Sequence, residues 1–163
     1  MTSINTALRY AMGKRKDPII PGEITPAIEA WVKELGQEYK SANLPADIER
    51  GPTGTCFDTC TMNILMSNKY QYCEGMTFNG VQWFYHAWLT DGIHAYDPTW
   101  QIIGKGGFDN PNNPLRYIGF VIPTGFLMFF NFKTQYAGVL GNRARYPQAV
   151  DAMLAYKRKE LIK

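Results

Sequence analysis

The sequence predicts an α+β protein that is built on an antiparallel sheet. Helix-type apolar spacing comes first along the chain, and a run of strand-like segments follows it. The dipeptides Asn79-Gly80 and Asp91-Gly92 separate three of these segments, and such dipeptides favour two-residue turns between antiparallel strands. Helices followed by hairpin-joined strands are typical of the α+β class.

The predicted helices span about 3–13, 25–39 and 56–67, and two more begin after Thr124 and at Pro147. In the second of these, Thr25 is placed to cap the helix and Pro26 to occupy its first turn. The apolar residues of this segment recur at helical spacing on one face.

The predicted strands span 70–78, 81–90, 93–99 and 116–122, and the glycine- and proline-rich segments 43–54 and 101–115 are predicted loops. We expect one domain over 1–163, with a core over about 54–122, a helical N-terminal extension over about 1–50 and C-terminal helices over about 124–163.

Length and composition exclude several classes of protein. The 163 residues are a common size for one domain. Hydrophobic residues make up 45% of the chain and charged residues 19%, which excludes intrinsic disorder because so apolar a chain can bury enough surface to fold. The net charge of +3 is too small to indicate a nucleic-acid partner.

Compartment and membrane association follow from the apolar stretches and the cysteines. The most apolar stretch, 118–130, is shorter than the about 20 residues that a bilayer span needs, so we expect no membrane partner. Residues 1–17 are polar and basic, without the apolar segment of a secretory signal. Three cysteines without such a signal favour free thiols in the cytoplasm over a disulfide framework.

Cys56 is the first candidate for chemistry. Thr55 and Asp58 have the spacing of a capping box, which makes Cys56 the first residue of a helix. The positive end of the helix dipole favours a thiolate there, and the thiolate is the nucleophilic form of cysteine. The alternative is a small buried residue at a helix start, and the Asp58 carboxylate works against a thiolate.

A histidine and an aspartate form the second candidate. If the turn after Thr90 has two residues, the hairpin register sets His86 directly opposite Asp97 on one face. A carboxylate so placed fixes the orientation of a histidine that acts as a general base. His94 falls on the other face, so the chemistry is assigned to His86. A structural hydrogen bond is the alternative for this pair.

Five segments share a pattern with a known superfamily. They are Gly54-Thr55-Cys56-Phe57, Tyr72-Cys73-Glu74-Gly75, His86-Ala87-Trp88, Asp97-Pro98-Thr99-Trp100 and Tyr117-Ile118-Gly119. Together they resemble the transglutaminase-like superfamily of cysteine enzymes, most closely its small bacterial and phage members. The resemblance covers about 54–120.

The resemblance implies a papain-like core, in which a nucleophile helix packs against an antiparallel sheet that bears histidine and aspartate. It also implies acyl transfer or amide hydrolysis through a thioester intermediate, with Cys56, His86 and Asp97 as the catalytic residues. The substrate would be a protein, a peptide or a small amide or thioester, without cofactor or metal. The location would be the cytoplasm, or the host cytoplasm for a phage protein.

Three alternatives stay open. Cys60 is a rival nucleophile, because the small relatives carry asparagine three residues after the cysteine, and Asn63 stands at that interval from Cys60. The chain could also be a binding protein that keeps the fold without turnover. A metal site of Cys56, Cys60, Cys73 and a histidine is the third alternative, although the cysteine spacing fits structural zinc poorly.

Overall fold

The computed structural model describes residues 22–100, 115–134 and 138–163. The strands in these residues are Gln37–Ser41 (β1), Gln71–Phe78 (β2), Trp83–Thr90 (β3), His94–Tyr96 (β4) and Arg116–Val121 (β5). The α-helices are Pro26–Leu35 (α1), Cys56–Met66 (α2), Thr124–Met128 (α3) and Pro147–Glu160 (α4), with a π-helical segment at Phe129–Thr134 and a 3-10 turn at Leu140–Asn142. The predicted helix over 3–13 and residues 101–114 of the predicted loop lie outside the described residues.

The five strands form a closed barrel in the order β1-β4-β3-β2-β5. The pairs β2–β3, β2–β5, β3–β4 and β1–β5 are antiparallel, and β1 pairs with β4 in parallel. The mixed α+β class is therefore confirmed, while the sheet is a closed and partly parallel one rather than a simple antiparallel sheet.

The predicted helix over 25–39 is wrong over its last four residues. The Thr25 side chain accepts a hydrogen bond from the Ile28 amide at 3.2 Å, as an N-cap does, but α1 ends at Leu35. A Cβ at Gly36 would lie 2.4 Å from the Val32 carbonyl oxygen, so only glycine fits where the chain leaves the helix. The residues that follow form β1, which closes the barrel.

Both hairpins are two residues longer than predicted. Phe78 pairs with Trp83 and Thr90 pairs with Ala95, so each loop has four residues instead of two. The residue that opens each loop explains the length. The side-chain oxygen of Asn79 accepts hydrogen bonds from the second and third amides after it, and Asp91 does the same in the second loop.

The barrel separates two layers of buried side chains. Each strand contributes one residue to a barrel core, namely Tyr39, Cys73, Trp88, Ala95 and Tyr117, together with Trp100 and Leu115. A larger outer core lies between the other face of the sheet and the helices, where Cys56, Phe57 and Cys60 of α2 pack with residues of β2 and β3. Among the described residues, no helix is long and apolar enough to cross a bilayer.

Candidate functional site

Cys56 is the first residue of α2, as the sequence predicts. The predicted capping box is wrong, however, because the Thr55 side chain makes no cap hydrogen bond. Its hydroxyl instead donates to the Pro52 carbonyl oxygen at 2.7 Å and lies 2.8 Å from the Thr59 hydroxyl. The start of the helix is thus fixed by the loop that precedes it, and the Cys56 backbone N–H stays at the positive end of the helix.

His86 and Asp97 lie together, although not through the predicted register. The observed pairing of Leu89 with Tyr96 places Asp97 two residues further along, opposite Trp88 rather than His86. A shift of two residues keeps every side chain on its face, so His86 still reaches Asp97 diagonally. The His86 Nε2 to Asp97 Oδ2 distance is 2.7 Å.

The Asp97 carboxylate is wholly buried and surrounded by donors. Its Oδ2 also accepts from the Tyr117 hydroxyl at 3.0 Å. Its Oδ1 accepts from the Thr99 amide at 3.0 Å, the Thr99 hydroxyl at 3.1 Å and the Trp100 amide at 3.0 Å. Burial acts to raise the pKa of Asp97, but the charge of His86 and these donors together lower it below its usual value.

The Cys56 side chain lies near enough to the His86 ring to contribute to the raised pKa of the histidine. Because Nε2 is held by Asp97, Nδ1 is the ring nitrogen that remains for the thiol. Burial acts to lower the pKa of His86, but the Asp97 carboxylate and the Cys56 sulfur outweigh it, and the net shift is upward. The site therefore favours an imidazolium between two groups that can carry negative charge.

Trp100 covers the imidazole on one side. Its ring stacks on that of His86 with the centroids 4.2 Å apart and 28° between the planes. Phe84 packs edge-on against the same tryptophan at 5.4 Å. Only about 2% of Cys56 and of His86 is exposed, so the cysteine–histidine pair lies in a largely apolar enclosure.

The other cysteines lie where ionisation is disfavoured. Cys60 is fully buried one turn along α2, and burial, followed by the charge of Asp97, raises the pKa of its thiol well above the usual value. Burial likewise raises the pKa of Cys73, in the barrel core, to about 12. Since the thiolate is the nucleophilic form, these environments favour Cys56 over Cys60 as the nucleophile.

His94 lies away from the site. Its Nδ1 is 2.9 Å from Asp91 Oδ2 at the surface end of the second hairpin. In the part of the chain that the structure describes, no three histidine, cysteine, aspartate or glutamate side chains are grouped so as to hold a metal ion.

Sequence reasoning did not assign a role to Tyr117 or to the amides of Thr99 and Trp100. The resemblance includes the segments 97–100 and 117–119. It does not show that Tyr117 and the two amides all contact Asp97. An aspartate that ends a strand and precedes Pro98 is a signal for a side chain that accepts from the amides just after it. No comparable signal in the sequence places Tyr117 beside Asp97, because that contact depends on barrel closure.

Comparison of the chain with protein-family models, with curated proteins and with solved structures found no match. The chemistry of the site is therefore assigned from its own contacts.

Proposed function

We propose that the protein is a cysteine-dependent acyltransferase or amide hydrolase that uses Cys56, His86 and Asp97 on a papain-like, transglutaminase-like core. The observation that carries the proposal is a cysteine at a helix N-terminus, near enough to a buried histidine to raise its pKa, where a buried carboxylate holds Nε2 of the same histidine. These are the nucleophile, the base and the orienting group that thiol acyl transfer needs.

The proposed reaction has two halves. The Cys56 thiolate attacks the carbonyl carbon of a carboxamide, peptide or thioester, and the His86 imidazolium protonates the leaving amine or thiol. The product of this half is a thioester on Cys56. In the second half, His86 removes a proton from water or from an acceptor nucleophile, which attacks the thioester carbonyl and takes the acyl group. Cys56 leaves as the thiolate beside the protonated His86, as at the start.

The developing oxyanion needs a donor close to the sulfur. The Cys56 backbone N–H lies at the start of α2, where amides have no partner within the helix. Asp97 contributes by holding the imidazole in one orientation and by stabilising its charged form, while it stays ionised itself.

An activated ester tests this function without knowledge of the natural substrate. We expect 4-nitrophenyl acetate to release nitrophenolate with an initial burst and to leave an acetyl group on Cys56, seen by mass spectrometry after digestion. Cys56→Ser should abolish the burst, and His86→Ala should slow it by about 10²- to 10⁴-fold, the usual contribution of a general base. His94→Ala is the matched control and should acylate at the wild-type rate.

A non-catalytic binding protein is the second candidate, and the small exposure of Cys56 favours it. In that case the ester would acylate the cysteines of the wild type no faster than the cysteines of the His86→Ala variant. A protein, peptide or small amide partner and a cytoplasmic location stay predictions from the sequence under either function.

A further inference from the structure

Glu74 is a buried carboxyl group that the proposed reaction does not use. It lies on β2 with none of its surface exposed. Its Oε1 accepts from the Tyr72 hydroxyl at 2.7 Å and from the Val139 amide at 2.6 Å. Its Oε2 accepts from the Tyr85 hydroxyl at 2.6 Å and from the Leu140 amide at 2.9 Å. One carboxyl group therefore joins two strands to the backbone of a distant segment.

The arrangement of donors favours the carboxylate form. Two of the four donors are backbone amides, which could not accept a hydrogen bond from Glu74 if its carboxyl group were protonated. Burial raises the pKa of Glu74, and the hydrogen bonds from Tyr85, Leu140, Tyr72 and Val139 oppose that rise. A buried carboxyl group is costly to keep unless its oxygens are satisfied, and here each oxygen has two donors.

Tyr85 extends this cluster toward the segment 138–141. Its hydroxyl oxygen accepts from the Gly141 amide at 3.1 Å while the hydroxyl donates to Glu74. Gly138 has a φ of +78°, and a Cβ there would lie 3.1 Å from both the Tyr85 hydroxyl oxygen and the Phe57 ring. The segment thus lies directly on Tyr85 and Phe57.

Tyr85 and Phe57 are the chain neighbours of the two reacting residues. Tyr85 precedes His86 on β3, and Phe57 follows Cys56 on α2. Their rings are in contact, with the centroids 4.9 Å apart. This aromatic pair therefore joins α2 to β3 one residue away from Cys56 and His86. Tyr85 of the pair is hydrogen-bonded to Glu74.

We propose that Glu74 is a positioning residue, which holds Tyr85 and the backbone of 138–141 against the first turn of α2 and so sets the approach of Cys56 to His86. The proposal rests on the function proposed above. It assigns to Glu74 no contact with substrate. Small displacements of reacting groups cost on the order of 10²-fold in rate. Glu74 holds Tyr85 directly and Phe57 through the Tyr85 ring, so its loss should slow the reaction.

Two tyrosine variants separate positioning from stability. Tyr72→Phe and Tyr85→Phe each remove one hydroxyl bonded to Glu74, and both tyrosines are buried. Only Tyr85 also contacts Gly141 and Phe57. We expect Tyr85→Phe to slow alkylation of Cys56 by iodoacetamide by about tenfold or more, and Tyr72→Phe to slow it several-fold less. Glu74→Gln should resemble Tyr85→Phe, and Glu38→Gln, a glutamate on the exposed face of β1, should leave the rate unchanged.

Hydrogen exchange of the native variants gives a readout that does not depend on reactivity. The amides of Val139, Leu140 and Gly141 should exchange faster in Glu74→Gln than in the wild type, and the Gly141 amide should exchange faster in Tyr85→Phe than in Tyr72→Phe. Equal alkylation rates in the two tyrosine variants, at similar unfolding free energies, would overturn the proposal. A wild-type Cys56 with ordinary thiol reactivity would overturn the proposed function, and the exchange rates would then still show whether Glu74 holds the segment.

Discussion

At the scale of single residues, Asp97 shows how the site keeps a buried charge. A carboxylate without solvent stays ionised only where donors or a cation compensate for the lost water. Asp97 has both, in the form of His86 and of donors from β5 and from its own turn. Each donor therefore contributes both to stability and to the charged state of the histidine.

The Tyr117 hydroxyl gives the sharpest stability test of this residue. Tyr117→Phe removes one donor from a wholly buried carboxylate, and we expect a loss of about 1.5 to 3 kcal/mol of unfolding free energy. Tyr96→Phe removes the same kind of hydrogen bond, at 2.9 Å, from the exposed Asp91. Because water can replace that donor, its loss should be smaller. Urea unfolding of both variants checks this, and equal losses would contradict the role given to Tyr117.

His86 makes stability depend on pH, and Cys56 modifies that dependence. Burial acts to lower the pKa of folded His86, but Asp97 and Cys56 together raise it from 6.5 to about 10, so the unfolding free energy should fall as the pH rises from 6.5 towards 10. Cys56→Ser removes one of the two groups that raise this pKa, so in that variant the fall should end at a lower pH.

Urea unfolding between pH 6 and 9.5 distinguishes these curves. We expect the wild-type free energy of unfolding to fall throughout the range from pH 6.5 to 9.5, whereas the curve for Cys56→Ser should level off at a lower pH. Parallel curves for the two proteins would contradict the contribution of Cys56 to the raised pKa of His86.

At the scale of elements, the close approach of β2 and β5 allows the barrel to form around the site. Gly75 pairs with Gly119 across these strands and with His86 across β2 and β3. A Cβ at Gly119 would lie 2.4 Å from the Glu74 carbonyl oxygen and 2.6 Å from the Trp88 ring. The two glycines are therefore required by the spacing of the strands.

Alanine at two glycines tests this requirement. Gly119→Ala should lower the unfolding free energy by about 1 to 3 kcal/mol or more, because backbone must move to accept the methyl group. Gly125 lies in α3, where a Cβ would have no neighbour within 4 Å, so Gly125→Ala should be neutral or should stabilise by up to about 1 kcal/mol. Thermal unfolding of both variants measures the contrast, and a harmless Gly119→Ala would contradict the packing argument.

The elements also show which parts of the fold the sequence predicts. The start of α2, the strands β2 and β5 and the helices after Thr124 and from Pro147 follow from local patterns, and the structure contains them within a few residues. The predicted length of α1 is wrong because local patterns do not contain the pairings of β1. The predicted hairpin loops are too short because Asn79 and Asp91 stabilise longer loops through their side chains.

The candidate site was less sensitive to these errors than the fold. A two-residue shift of register leaves His86 and Asp97 on one face, so the wrong turn length still led to the right pair of neighbours. The contacts of Tyr117 and Glu74 depend on strands and segments far apart in the chain. No local pattern contains such information, and these residues were therefore assigned no role.

At the scale of the whole molecule, the site lies where the helix layer and the barrel meet. Cys56 belongs to the outer core, while Trp100 and Tyr117 belong to the barrel core. His86, on β3, connects the two through its contacts with Cys56, Asp97 and Trp100. We therefore expect the folding of both layers to bring Cys56 and His86 together as one reactive pair.

Alkylation of the native protein by iodoacetamide between pH 5 and 9 tests this expectation, with the rate at each cysteine resolved by mass spectrometry. We predict that Cys56 reacts fastest, that it still reacts below pH 7, and that this reactivity is lost in His86→Ala. If Cys60 shows this behaviour, the nucleophile is assigned wrongly. If all three cysteines react slowly, or only as the pH approaches the ordinary thiol value of about 8.5, the thiolate–imidazolium pair does not exist.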